Sequence, residues 1–182
     1  MSKVLIISSS PRENSTTDLI CNALAEGASS GGNQVIKFNI AGMNIENCKA
    51  CEACHSGSSG CQLNDDMEQT LAEYADADVL VLATPVYFWN MSGTLKKWID
   101  RTYSIYRKQK IKKTVLIAAA AGVNSAMFEP IISGYMGYVA CLRGAENVGI
   151  ITTAGGFDVN SEKGENVLKK AYEIGKSFQF GN

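Results

Sequence analysis

The stretch KVLIISSSPRENSTTDLICNAL, residues 3–24, decides the fold. It opens with four consecutive apolar residues, Val4 to Ile7, rich in β-branching. An unbroken apolar run of this kind reads as a strand covered on both faces, as in a parallel sheet. A small polar turn follows, and then Leu19, Ile20, Ala23 and Leu24 recur at helical spacing. Ser15 stands where an N-cap belongs, with Asp18 three residues on in capping-box register. The unit is strand, turn and a helix over about 16–29, closed by Gly31 and Gly32.

The same alternation runs outward from there. NQVIKFNI (33–40) alternates and predicts an edge strand. ADVLVLATP (77–85), KTVLIAAAA (113–121) and AENVGIITTAGG (145–156) predict three more strands. Pro85 has no N–H and is expected to stop the third one. Helices are expected at about 65–75, 92–106, 125–142 and 162–178, the first starting near Asn64-Asp65 with Glu68 in capping-box register. Five strand–helix alternations predict an α/β, doubly wound, five-stranded parallel sheet of order 2-1-3-4-5 with helices on both faces. No linker, repeat or low-complexity tract interrupts the chain, so a single domain is expected over 1–182.

Composition narrows the function classes. Hydrophobic residues make up 46% and charged residues 19% of the 182, which excludes a disordered chain. Seventeen basic against 18 acidic residues leave a net charge of −1, so no overall field recruits nucleic acid or an anionic membrane surface. The longest apolar run, Val115 to Ala121, is far short of the ~20 residues a membrane helix needs. The N-terminal apolar stretch is too short for a secretory h-region, and a cytoplasmic location is expected.

In a doubly wound sheet of this order, ligands bind at the carboxyl ends of the first and third strands. After the first strand, Ser10, Ser15, Thr16 and Thr17 offer hydroxyls, Arg12 offers a charge, and the helix that begins there offers free N–H groups and a positive dipole end. Together these suit a phosphate. A plain capped turn explains the same residues taken alone. Neither GxxxxGK[ST] nor GxGxxG is present, which disfavours a nucleotide-hydrolysing P-loop and a dinucleotide fingerprint. After the third strand come Pro85, Val86, Tyr87, Phe88, Trp89 and Asn90. Three adjacent aromatics cannot all face one core, so at least one should meet a planar ligand or a partner subunit. A phosphate turn beside a planar-ring loop matches FMN, which has both parts.

Six cysteines add a second centre. Cys48, Cys51, Cys54 and Cys61 fall in one window, spaced x2, x2 and x6, whereas Cys21 and Cys141 are isolated and are expected on helices as small apolar residues. Such a cluster in an α/β domain points to metal or redox chemistry rather than structural disulfides. Two successive x2 steps resemble the start of a bacterial ferredoxin run and suit a [4Fe–4S] cluster. A structural zinc, a redox-active CxxC pair and a metal-free loop are the alternatives. His55, inside the loop, is expected to face solvent. Lys96, Lys97 and Arg101 read as a solvated helix face, with Asp100 and Arg101 as a structural ion pair or interface contact. The loop follows the second strand, so it is expected to open on the same rim as the flavin.

At this point the motifs resemble a family. SSSPRENSTT resembles the GSPRxxSNT phosphate loop of NAD(P)H-dependent FMN reductases in the flavodoxin-like superfamily, with Ser9 where the motif has glycine. ATPVYFWNMSGTLKKWIDR resembles that family's SPxYxxxxSxxLKxxxDR segment. NCKACEACHSGSSGCQLNDDM is similar to the cysteine signature of its iron–sulfur flavoprotein branch. The likeness covers roughly residues 3–103. It implies FMN with its phosphate on Ser10, Arg12, Ser15, Thr16 and Thr17, its ring on Pro85 to Asn90, and the loop near Ala121 and Gly122 at the ring's border. It implies NAD(P)H as co-substrate, a small-molecule or redox-protein acceptor, and a homodimer or homotetramer. No side chain is assigned a catalytic role, since hydride transfer needs no protein acid, base or nucleophile. A non-enzymatic FMN and [4Fe–4S] electron carrier and a zinc-stapled binding module are the other functions the residues allow.

Overall fold

A computed structural model describes residues 1–56 and 60–178. Among the described residues the chain forms six strands and five α-helices in the order β1 (Lys3–Ser8), α1 (Thr16–Ser30), β2 (Gln34–Asn39), α2 (Met67–Asp76), β3 (Val79–Tyr87), β4 (Asn90–Met91), α3 (Gly93–Arg101), β5 (Lys113–Ala120), α4 (Glu129–Cys141), β6 (Glu146–Ala154) and α5 (Glu162–Lys176). The parallel sheet has the order β2-β1-β3-β5-β6, and β4 is a two-residue antiparallel addition to β3. This is the flavodoxin-like order expected, with β5 and β6 as its fourth and fifth parallel strands.

The apolar run in β1 is explained by its two faces. Val4 and Ile6 pack with α1 and α5 residues such as Leu24 and Ala171; Leu5 and Ile7 pack with Trp98 of α3 and Tyr135 of α4. Because side chains alternate along a strand, both faces must be apolar when both are covered. All four residues are fully buried. β2 is an edge strand, and its ends are exposed.

Several local expectations change on tertiary contact. Ser15 caps α1, accepting from the Asp18 N–H at 3.2 Å, but the Asp18 carboxylate turns away to pair with Lys37 of β2. α2 begins at Met67, two residues after Asp65, whose carboxylate pairs with Arg101 and also accepts from the Met67 N–H. Pro85 does not stop β3, which runs to Tyr87. The φ that proline imposes is compatible with extended backbone, and Pro85 lies opposite Ala119 near the strand's end, where one missing N–H costs little.

α1 and α5 touch backbone to backbone at glycines. A Cβ on Gly175 would stand 2.1 Å from the Leu24 carbonyl oxygen, and one on Gly27 would stand 2.0 Å from that of Tyr172. This close approach holds α1, and hence the turn that precedes it, against the sheet. Gly175→Ala is expected to cost about 2 kcal/mol by forcing the helices apart. Urea unfolding of the flavin-free chain measures this, and an unchanged midpoint would show the contact to be slack.

Candidate functional site

The turn after β1 and the turn after β3 are riveted together by buried hydroxyls. Ser9 N–H and Oγ–H both donate to the Ala83 carbonyl of β3, at 3.0 and 3.1 Å. Ser92, which caps α3 by accepting from the Leu95 N–H, donates its own hydroxyl to Ser9 Oγ at 2.8 Å. The Ser92 N–H donates to Thr84 Oγ1 at 2.9 Å. Ser9, Thr84 and Ser92 are all buried. A glycine at position 9 would supply no hydroxyl to this chain of bonds.

Between the two turns lies a cleft of about 450 Å³. Ser10, Arg12, Ser15, Thr16 and Thr17 line one side, and Pro85, Val86 and Tyr87 line the other. Eight of the expected flavin-site residues are thus brought to one cleft. Phe88, Trp89, Asn90 and Gly122 do not line it. Phe88 and Trp89 form the two-residue turn of the β3–β4 hairpin, with φ of 48° and 63°. Left-handed backbone at aromatic residues is costly and is often kept at functional positions. Phe88 is fully exposed, and Tyr87 and Trp89 are about half exposed, at 47% and 49%. Gly122 lies beyond Ala121, where a Cβ would stand 2.7 Å from Met127 Cε.

Ala121, expected at the ring's border, does line this cleft; sequence reasoning missed the rest of its floor and far wall, Ala119 and Ala120 at the end of β5 and Thr153, Gly156 and Phe157 at and after the end of β6. Thr153 lies opposite Ala119 in the sheet, so it arrives through β-pairing. The only sequence signal was its place near the carboxyl end of a strand. Its Oγ1 is buried and has no partner, although it stands at the cleft. Glu13 also borders the mouth.

The four cysteines surround a separate, small cavity of about 30 Å³, with Arg101 and Tyr103 among its other walls. Left-handed residues on either side of Cys51, Ala50 (φ 49°) and Glu52 (φ 55°), curl the loop around it. Burial pushes the Cys54 thiol up, and the neighbouring Cys61 and Cys48 add to the shift. Among the described residues, no group of three or more His, Cys, Asp or Glu side chains is gathered tightly enough to hold a metal ion. The four thiols are nevertheless a donor set of the kind an iron–sulfur cluster uses, and Arg101, which lines the cavity, carries a buried N–H without a partner. His55 is exposed, as expected, with its ring edge-on to Tyr103.

Among the described residues, this cavity and the flavin-type cleft share no lining residue. Arg101, which lines the cavity, closes α3, and Ser92 of the bonded turns opens it; the nine residues of the helix rise ~13 Å. A larger hollow of about 620 Å³ lies beside the loop, walled by Tyr103, Tyr106, Tyr138 and Cys141. Cys141 is exposed at the end of α4 rather than packed as a small apolar residue; Cys21 is buried, and burial pushes its thiol up to about 12.

Arg101 is the clearest departure from expectation. It is buried, not on a solvated face, and it pairs with Asp65 rather than Asp100. Asp100 pairs with Lys96 on the surface. Arg101 reaches Asp65 with two nitrogens, at 2.7 and 3.1 Å, and donates to the Glu46 carbonyl at 2.9 Å. Asp65 also accepts from the N–H groups of Glu46 (2.9 Å) and Met67 (3.1 Å). This clasp joins both ends of the cysteine loop. The spacing of Asp65 and Arg101, 36 residues apart, gives no periodic signal.

Two outcomes follow for these groups. Thr153→Val is expected to raise flavin-free stability by up to ~1 kcal/mol, by removing a buried unpaired hydroxyl, while weakening FMN binding about tenfold. Thermal unfolding and fluorescence titration with FMN measure the two; equal affinity would exclude Thr153 from the site. For Asp65, burial works to raise the carboxyl pKa, but the bonds from Arg101 and the backbone outweigh it and hold the group below its ordinary value. A depressed carboxylate stabilises the fold fully above about pH 4, where unfolded aspartate ionises, and less as pH falls through the native value. Asp65→Asn is therefore expected to cost about 3 kcal/mol at pH 7 and to flatten the acid limb of stability. An acid limb as steep as that of the original chain would contradict it.

Residues 2–132 match the NADPH-dependent FMN reductase family. An iron–sulfur flavoprotein of Archaeoglobus fulgidus is 28% identical over 178 residues, which are 95% of this chain and 77% of that one. A second from that organism is 34% identical over 100 residues, 55% of this chain and 48% of the relative. One from Methanosarcina thermophila is 32% identical over 117 residues, 64% and 61% of the two chains. The chain thus spans about half to three quarters of the length of these curated relatives. Among solved structures, an NAD(P)H:quinone oxidoreductase from Methanothermobacter marburgensis superposes with a TM-score of 0.79 at 21% identity, over 100% of this chain and 98% of that one. An FMN-dependent NADH-azoreductase from Bacillus anthracis, in complex with FMN, gives 0.69 at 16%, over 96% and 98%. At these identities the structural likeness speaks for the fold. The match over residues 2–132, on a chain with this sheet order and this cleft, makes it a member of the NADPH-dependent FMN reductase family of flavoprotein oxidoreductases.

Proposed function

We propose that the chain is an FMN-binding oxidoreductase of the iron–sulfur flavoprotein type, taking electrons from NAD(P)H or a protein donor and passing them to a small-molecule or redox-protein acceptor. The observation that carries this reading is the cleft in which a hydroxyl-rich helix entry faces the β3 turn. FMN bound there supplies a ring that accepts a hydride and releases electrons singly or in pairs.

The chain's own residues bind and orient. Ser15, Thr16 and Thr17 stand at the N-terminus of α1, whose first N–H groups and dipole favour a phosphate. Arg12 adds a charge at the mouth, and Ser10 is tied down by Asn39, which donates to its carbonyl at 3.1 Å. Pro85, Val86 and Tyr87 offer a stiff, largely apolar wall to a flat ring, and the alanines after β5 offer a floor without bulk. These are binding residues. No protein acid or base is required, so none is assigned.

Cys48, Cys51, Cys54 and Cys61 hold a [4Fe–4S] cluster in this reading. The support is their spacing, the one cavity they surround and the printed names of the relatives. The wholly exposed Phe88, held on a strained turn, suits contact with a second copy of the chain in a homodimer or homotetramer.

Anaerobic purification tests both centres at once. The expected result is flavin absorption together with iron and acid-labile sulfide in equal amounts. Zinc in place of iron would replace the cluster with a structural staple, and failure to bind added FMN would overturn the oxidoreductase reading. Dye reduction by NADH and by NADPH then separates an enzyme from a carrier, which would show no turnover with either.

A further inference from the structure

The Arg101 guanidinium is built into the protein in an unfinished way. It is 2% exposed, and its terminal nitrogens are spent on Asp65 and on the Glu46 carbonyl. Its Nε is buried with no acceptor. Leaving a buried N–H unpaired is costly, so native proteins rarely keep one unless something absent completes it. Arg101 lines the small cavity that holds Cys48, Cys51, Cys54 and Cys61. Burial works against its charge; Asp65 outweighs that, and Cys61 adds to the field that holds the guanidinium protonated.

Resting on the cluster reading above, we propose that Arg101 is a positioning residue of the cysteine site. Its paired terminal nitrogens clasp the two ends of the loop, and its Nε–H is reserved for the sulfur of Cys61 once that sulfur ligates iron. Two consequences follow. The clasp brings the first three cysteines and the fourth to one place, because Glu46 precedes Cys48 and Asp65 follows Cys61. The Nε–H bond stabilises the more negative, reduced cluster, since hydrogen bonds to cluster sulfurs are among the features that set its potential. Asp65 balances the guanidinium charge, so the effect is local to the sulfur that receives the bond.

The structure separates this role from ordinary packing. An arginine kept only for its ion pair would be served by its terminal nitrogens, and nothing would keep its Nε–H buried without an acceptor on a residue that lines the cysteine cavity. Lysine can keep one charge opposite Asp65 but has neither the fork nor the Nε–H.

The test uses the full chain, reconstituted anaerobically with ferrous iron and sulfide, as the original sequence and as Arg101→Lys. Iron and sulfide per chain, the midpoint potential by spectroelectrochemical titration, and the rate of iron loss to a chelator are measured. Arg101→Lys is expected to take up the cluster, to shift its potential to more negative values and to lose iron several-fold faster. An unchanged potential would overturn the proposal even if iron is lost faster, since that alone is what a structural clasp does. If Arg101→Lys does not fold, the double variant Arg101→Gln with Asp65→Asn removes both charges together, and the same readings decide. An original chain that takes up no iron–sulfur cluster overturns the reading beneath the proposal and the proposal with it. A cluster with an unaltered potential in the variants overturns the proposal alone.

Discussion

The hydroxyl of Ser92 donating to the hydroxyl of Ser9, 83 residues away in the chain, is the contact on which the cleft depends. Ser9 leaves β1 and donates twice to Ala83 of β3, while Ser92 opens α3 and donates its own N–H to Thr84 Oγ1. The turn suited to phosphate and the turn suited to a ring are therefore held by the same few atoms. Because these groups are buried, each is tied to its neighbours at a cost in desolvation that only a complete set of bonds offsets. The β1–β3 pairing brings the turns near each other, and the hydroxyls fix their separation.

The second organising constraint is the buried pair of Asp65 and Arg101. It stands at the far end of the helix that Ser92 begins, so α3 links the cleft to the cysteine cavity as a rigid spacer. Ion pairs this deeply buried seldom stabilise a fold more than apolar packing would. Here the pair determines where an irregular loop starts and ends. Among its described residues the cysteine loop has no strand or helix of its own, and left-handed residues at Ala50 and Glu52 add strain that the clasp must hold.

Much of the fold was legible in β1. Val4 to Ile7 leave no polar face, which requires cover on both sides, and the alternation of strands and helices then leaves few topologies. The capped turn after β1 was legible because N-capping has a chemical signature of its own in Ser15. The Asp65–Arg101 pair was not. Read along α3, Arg101 falls beside Lys96, Lys97 and Asp100 and looks solvated, and only the folded chain shows that its side chain turns inward. Pro85 misled for a related reason, since the missing N–H of proline matters according to which neighbour faces it.

The sequence by itself determined the sheet, its two apolar faces, the capped entry to α1 and the clustering of four cysteines, because each is written in periodicity or in short-range spacing. Only the tertiary structure decided which residues complete the cleft and which close the cysteine loop. Thr153 meets the cleft through pairing of β5 with β6, and Arg101 meets Asp65 across 36 residues. Contacts of that range are selected by the packing of whole elements, and no local pattern in the chain records them.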